Sequence, residues 1–464
     1  MSSQPSEAPL SPFPPVPTEA ADRARLAELD ARHVWHPFTQ AATAPTPVPI
    51  VSGKGARLYT ADGRELLDLV SSWWVNLHGH CHPAVARAIA EQAGRLEHAI
   101  FADFSHAPGV RLAARLAAML PAGLSRVFYS DNGSTAVEVA LKMAHQFWRN
   151  QGKEKTVYVG FEGGYHGDTV GAMSAGRASG FFAAWERMLF PVEVAPVPAT
   201  WDGDPDAESR EAEALAALER ILERNRGKVA AVVIEPLVQG AGGMRMCRPS
   251  FLAGLAERVR AADALLVFDE VMTGFGRTGA NFACQKAGVT PDVICLSKGI
   301  TAGFLPLSVT VASERIYEAF LGPDVATAFL HGHSYTANPL GCAAGLASMD
   351  LLEAPECRAR ITGIEAVHRE RLPRLAALPG VIRPRLCGTI AAVDVTRPGA
   401  EAADYAAPAG PLMKKALLAR GLLLRPLGNV LYLLPPYCVT DDELHRAYDA
   451  MEDVVRDLAA GRLA

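Results

Sequence analysis

Five short apolar runs, RVFYSD, TVYVGF, AAVVIEP, ALLVFDE and DVICLS, recur between residues 126 and 297. Runs this short, rich in Val, Ile and Phe and bounded by polar turns, read as strands buried on both faces. From about residue 84 they alternate with helical segments, PAVARAIAEQAGRL and GVRLAARLAAML being the clearest. Strands joined through helices run parallel, because a crossover is needed to return the chain to the same edge. The pattern predicts an α/β fold with a mainly parallel central sheet flanked by helices. Ligands of such sheets bind outside the carboxyl ends of the strands. The polar clusters SDNGS, GGYHGD, EPLVQG, DEVMTGFGRTG and SKG fall at those ends.

With 464 residues, 49% of them hydrophobic, the chain can build one large domain and a smaller companion. Residues 1–20 carry six prolines and little that packs, which predicts a disordered tail. Residues 21–83, with a helix in ADRARLAELDARHVW and a β-rich stretch in IVSGKGARLYTADGRELLDL, are expected to begin a smaller discontinuous α/β domain. Residues 84–340 would form the large ligand-binding domain, and 341–464 would complete the small one, interrupted by the polar loop TRPGAEAADYAAPAGP.

A formal net charge of −5 argues against nucleic acid as a partner. No apolar run reaches the length of a membrane span, and the N-terminus lacks the basic start and apolar core of a secretory signal. Eight cysteines stand singly with no CxxC pair, against a disulfide framework or a cysteine-ligated zinc. The expectation is a cytoplasmic enzyme without a metal. The His78-Gly-His80-Cys-His82 and His331-Gly332-His333 segments read equally well as glycine-rich loops, with no HExxH beside them.

Lysine supplies only nine of the 45 basic residues, so a reactive amine is quickly sought. Of the nine, Lys298 alone directly follows a buried apolar run and opens a glycine-containing turn. Partial desolvation there would favour the neutral, nucleophilic amine, although a surface lysine past a strand fits the same position. Asp269 and Glu270 end another predicted central strand. A carboxylate there can orient a histidine, hold a metal, pair with a pyridinium nitrogen or cap the next helix. Gly133 and Ser134, at a strand-to-helix turn, form either a phosphate cradle or an ordinary cap. Tyr165 and His166 lie between glycines, where an aromatic side chain stacks on a flat ligand or on the core. GFGRTG, residues 274–279, matches a dinucleotide fingerprint but does not directly join a strand to a long helix.

Taken together these residues resemble the class III aminotransferases of pyridoxal phosphate fold type I, from about His33 to Pro436. LLVFDEVMTGFGRTG, followed 29 residues after Asp269 by SKG, is the most specific part of the likeness. The resemblance implies pyridoxal 5'-phosphate as cofactor, a Schiff base on Lys298 and Asp269 against the pyridine nitrogen. It also implies Gly133 and Ser134 at the phosphate and Tyr165 beside the ring. A homodimer is implied too, with His333 and Ser334 reaching the phosphate of the neighbouring subunit. GFGRTG then becomes a structural turn.

HVWHPFTQ, SSWWVNLHGHCHP, GGYHGDTVGAMS, VQGAGGM, HGHSYTANPLGCA and LRPLGNVLYLLPPY are similar to one branch of the family. That branch aminates the keto acid 8-amino-7-oxononanoate to 7,8-diaminononanoate in biotin biosynthesis. It implies substrate contacts at Trp73, Tyr165, Gly332 and Arg425, the arginine fork holding the distal carboxylate of the keto acid acceptor. Phe38 and His333-Ser334 are similar to lysine-using relatives, whereas Trp73 and Tyr432 are similar to those that use adenosylmethionine. S-adenosyl-L-methionine is the expected amino donor, with L-lysine, or another ω-amino acid aminotransferase activity, as the alternative.

Overall fold

A computed structural model describes residues 20–176, 182–396, 407 and 409–463. Residues 1–19 of the expected tail, and most of the 396–411 loop, lie outside the described residues. The chain enters through a helix, Ala20–His33, and three antiparallel strands, β1 (Ile50–Lys54), β2 (Arg57–Thr60) and β3 (Glu65–Asp68). The central strands follow as β4 (Leu124–Ser130), β5 (Val157–Phe161), β6 (Glu193–Ala195) and β7 (Val229–Ile234). A small ladder, β8 (Val238–Gln239) with β9 (Arg245–Met246), precedes β10 (Leu265–Asp269), β11 (Val293–Leu296) and β12 (Ser308–Ser313). The last strands are β13 (Val381–Cys387), β14 (Ile390–Val395), β15 (Leu422–Leu423) and β16 (Val430–Leu433).

Seven strands form the central sheet in the order β4-β12-β11-β10-β7-β5-β6. All five apolar runs are strands of it. Every residue of β7, β10 and β11 is buried, because helices cover both faces. Side-chain alternation divides β10 between the two cores. Leu265 and Val267 pack with Ala140, Ala144 and Trp148 of the helix Gly133–Asn150, while Leu266 and Phe268 join Phe251 and Leu255 of the helix Pro249–Ala261. Cutting Phe268 to alanine would cost about 3–5 kcal/mol.

One strand breaks the parallel pattern. β12 runs antiparallel to both β11 and β4. Between β11 and β12 the chain makes only a short 3-10 turn, Lys298–Thr301, too little for a helical crossover, so it returns alongside. SVTVAS is also less apolar than the five central runs and escaped notice in the sequence. Elsewhere, β15 pairs in parallel with β3 through Leu422 with Leu67 and Leu423 with Asp68, bringing the C-terminal segment onto the N-terminal strands. β13, β14 and β16 form a separate antiparallel sheet. Among the described residues no helix is long and apolar enough to cross a membrane.

Candidate active site

The carboxyl ends of the central strands open into one cavity of about 620 Å³. β10 delivers two neighbouring acids to opposite sides. Asp269 lines the cavity. Glu270 points away and accepts the N–H groups of Ala283 (2.6 Å) and Cys284 (2.7 Å), capping the helix Ala283–Ala287. Burial pushes the Glu270 carboxyl up to about 7. The sequence left several roles open at this pair, and the two residues divide them.

Lys298 follows β11 and is half-buried, lining the cavity. Its φ of +43° is left-handed, an uncommon conformation for a residue with a side chain. Ser297 fixes the approach by donating its hydroxyl to Leu307 O (2.8 Å). Nζ lies 5.5 Å from the ring centroid of Trp74. Burial pushes the amine below its ordinary range, and the charges of Asp269 and Glu235 offset only part of that effect.

Opposite Lys298, the loop after β5 carries Tyr165 and His166. His166 Nδ1 stands 2.7 Å from Asp269 Oδ2, and both side chains are almost wholly buried. Burial alone would push the imidazole down, but the hydrogen bond and charge of Asp269 outweigh it and hold His166 above its usual range. Tyr165 donates its hydroxyl to Asp168 (3.0 Å) and stacks on Phe182 with centroids 6.0 Å apart. Its backbone N–H donates to Glu235 Oε2 (3.0 Å), and the other oxygen of Glu235 accepts from Gly240 N–H (2.9 Å). Burial pushes Glu235 up to about 7. Glu235 was not singled out from the sequence. It follows an apolar strand just as Asp269 does, so the same signal would have found it.

A third side of the cavity is the start of the helix Gly133–Asn150. Asn132 caps it by accepting Thr135 N–H (3.1 Å). Gly133 and Ser134 occupy the first turn, where backbone N–H groups lack carbonyl partners within the helix and the dipole favours an anion. Ser134 Oγ accepts Thr169 N–H (2.9 Å) and lies 2.7 Å from the Thr169 hydroxyl. At Gly167, φ is +118° and an added Cβ would collide with Ser134, so the loop approaches the helix start as only glycine allows.

The remaining residues divide into an aromatic cluster, in which Phe38, Trp73 and Arg425 do not line the cavity, and a distant loop. Arg425 lies over the Trp73 ring at 4.1 Å, and Phe38 meets Trp73 edge-on at 5.7 Å. Phe38 is 55% and Trp73 40% exposed. Tyr432, on β16, is buried behind Trp74 and accepts the Trp74 indole N–H (2.9 Å); it does not line the cavity. Gly332, His333 and Ser334 do not line it either. Gly332 and Ser334 are exposed, while His333 Nδ1 sits 3.4 Å from Asp131 of the same chain.

GFGRTG is a turn in which Arg277 is buried and donates to the carbonyls of Pro435 (2.8 Å) and Asn76 (3.0 Å), tying three segments together. His78 bonds Ser348 O (3.0 Å) and His80 bonds Asp68 (2.9 Å). Among the described residues no group of three or more His, Cys, Asp or Glu is placed to hold a metal.

Such a set fits a flat, phosphate-bearing aldehyde: a half-buried amine of lowered basicity, an acid braced by a histidine, an aromatic beside them and a helix start for an anion. The family model for class III aminotransferases matches residues 38–455. A Synechococcus elongatus protein named adenosylmethionine-8-amino-7-oxononanoate aminotransferase is 58% identical over 426 residues, covering 92% of this chain and 99% of its own. A Geobacter sulfurreducens protein of the same name is 44% identical, over 95% of this chain and 99% of its own. The crystal structure of the Methanocaldococcus jannaschii protein of that name superposes with a TM-score of 0.87 at 32% identity, over 94% of this chain and 99% of its own. The chain belongs to the class III aminotransferases, with their fold.

Proposed function

We propose that this enzyme transfers an amino group to 8-amino-7-oxononanoate, making 7,8-diaminononanoate for biotin biosynthesis, with pyridoxal 5'-phosphate as cofactor. The observation that carries the reading is the half-buried Lys298 sharing one cavity with the Asp269–His166 pair and the start of the helix Gly133–Asn150. The names of relatives up to 58% identical supply the acceptor.

When bound, pyridoxal phosphate supplies an electron sink that lets a proton leave the carbon bearing the amine. Gly133 and Ser134 would hold its phosphate, Asp269 would pair with its ring nitrogen, and Tyr165 would supply an aromatic side chain for the ring. Lys298 would hold the cofactor through its amine and would move the substrate proton at Nζ. Its lowered basicity suits both tasks. His166 braces Asp269 and keeps its charge aimed inward. Arg425 holds the distal carboxylate of the keto acid as a charged fork. Trp73 and Phe38 supply aromatic surface along the aliphatic chain or the donor, and Tyr432 braces Trp74 from behind by accepting its indole N–H.

The working unit in this reading is a homodimer. Ile100, Phe104, Leu330 and Tyr335 are large side chains left exposed on one chain, as expected of an unfilled interface. Gly332, His333 and Ser334 share that region, and in the dimer they reach the neighbouring site. The same reading groups residues 84–340 as the large domain and 21–83 with 341–464 as the small one, a division that the β3–β15 pairing supports.

S-adenosyl-L-methionine is the proposed donor. Mixing the holoenzyme separately with adenosylmethionine and with lysine, and following the cofactor's absorption, tests it. Conversion by lysine alone would replace the donor. Failure of 8-amino-7-oxononanoate to restore the starting spectrum would overturn the acceptor.

A further inference from the structure

The segment Ser71–Trp74 holds a costly backbone. φ is +52° at Ser71, +59° at Ser72 and +67° at Trp74, and Ser72 combines its φ with a ψ of −93°. Side-chain-bearing residues take such values only where their surroundings enforce them. Here the enforcement comes from Asp68, the wholly buried last residue of β3. Asp68 Oδ1 accepts Val70 N–H (3.1 Å), and Oδ2 accepts Ser72 N–H (2.7 Å). Oδ2 also bonds His80 Nε2 (2.9 Å). His80 is itself seated, with its backbone N–H donating to Gly55 O (2.7 Å) and its Cβ against Gly53, where an added methyl would approach to 2.8 Å.

The turn gives two adjacent indoles different places. Trp74, 6% exposed, is anchored independently through Tyr432 and faces Lys298. Trp73, 40% exposed, meets Arg425 over its ring and Phe38 at its edge. Neither Asp68 nor His80 lines the cavity.

We propose that Asp68 and His80 are positioning residues for acceptor binding: they clamp the Ser72 N–H and so hold the strained turn that aims Trp73 at Arg425. The proposal rests on the function above in naming the acceptor and in taking Trp73 and Arg425 as its contacts.

The test is Asp68→Asn in the holoenzyme. The amide cannot accept at both former oxygens, so one clamp bond is lost while size is kept. The acceptor KM should rise about tenfold, with kcat and the donor half-reaction within about threefold. Glycine adopts left-handed backbone freely, so adding Ser72→Gly to Asp68→Asn should bring the acceptor KM back to within about threefold of wild type. His80→Gln should move the acceptor KM in the same direction by a smaller factor.

An unchanged acceptor KM in a folded Asp68→Asn or His80→Gln enzyme would overturn the clamp. So would equal losses in both half-reactions that Ser72→Gly does not repair. Should Asp68→Asn fail to fold, His80→Gln decides alone. Wild-type turnover of 8-amino-7-oxononanoate tests the function separately. If the wild type prefers another acceptor, the variant ratios are read on that one.

Discussion

Asp269 and His166, 103 residues apart in sequence, meet through a 2.7 Å contact between two almost wholly buried side chains. Neither would be stable there as a lone charge. Together they set an acid at the cavity wall whose orientation does not depend on a bound ligand. Asp269→Asn should still bind pyridoxal phosphate but lower kcat by about a hundredfold, because a neutral amide no longer stabilises developing charge. His166→Gln should lower kcat less than Asp269→Asn does. Single-turnover kinetics of the two variants checks the order, and a reversal would place the essential charge on His166.

Lys298→Ala should fold, since its backbone turn is held by Ser297 and Leu307. The variant should lose turnover and the visible absorption that borohydride removes from the wild type. Activity at the wild-type level would end the assignment of Lys298.

Arg425→Ala should raise the acceptor KM far more than it disturbs the donor half-reaction. The lost charged hydrogen bond contributes ~1.5–3 kcal/mol. Its guanidinium also covers the Trp73 ring, so Arg425→Lys, which keeps charge but not the planar fork, should recover only part of the affinity. Comparable defects in the two half-reactions would make Arg425 a structural residue.

Acid should destabilise the apoenzyme through two histidines. Burial pushes His78 and His368 down to about 4, so both stay neutral in the folded chain while the unfolded chain takes up protons near the ordinary 6.5. Their contribution is present above 6.5 and is lost as pH falls from there through about 4. Glu235 and Glu270 act in the opposite sense. Each is pushed up to about 7 by burial, so its contribution is present below 4.5 and is lost as pH rises through 7. Across pH 4.5–6.5 the two pairs oppose each other, so the histidine part is read from the variant: urea midpoints of His368→Gln should fall less toward acid than those of the wild type, by about one proton of dependence. An unchanged slope in the variant would mean that His368 is protonated in the fold.

What the sequence determined by itself was whatever local pattern encodes. Five apolar runs marked five of the seven central strands, and the end of such a run marked a cavity-lining position, as at Asp269 and Lys298. The burial that a strand needs on both faces is written in its own residues, so no partner has to be known. The Gly133–Ser134 helix start was legible for the same reason. Tertiary structure decided the rest. β12 became antiparallel because the turn before it is too short for a crossover, a property of the connection and not of SVTVAS. Asp269 was paired with His166, and Glu270 was turned to cap a helix, by contacts spanning 103 and 13–14 residues. The left-handed turn at Ser71–Trp74 carries no glycine to announce it. Its conformation is imposed by Asp68 and His80, and only the folded chain brings those hydrogen bonds to one place.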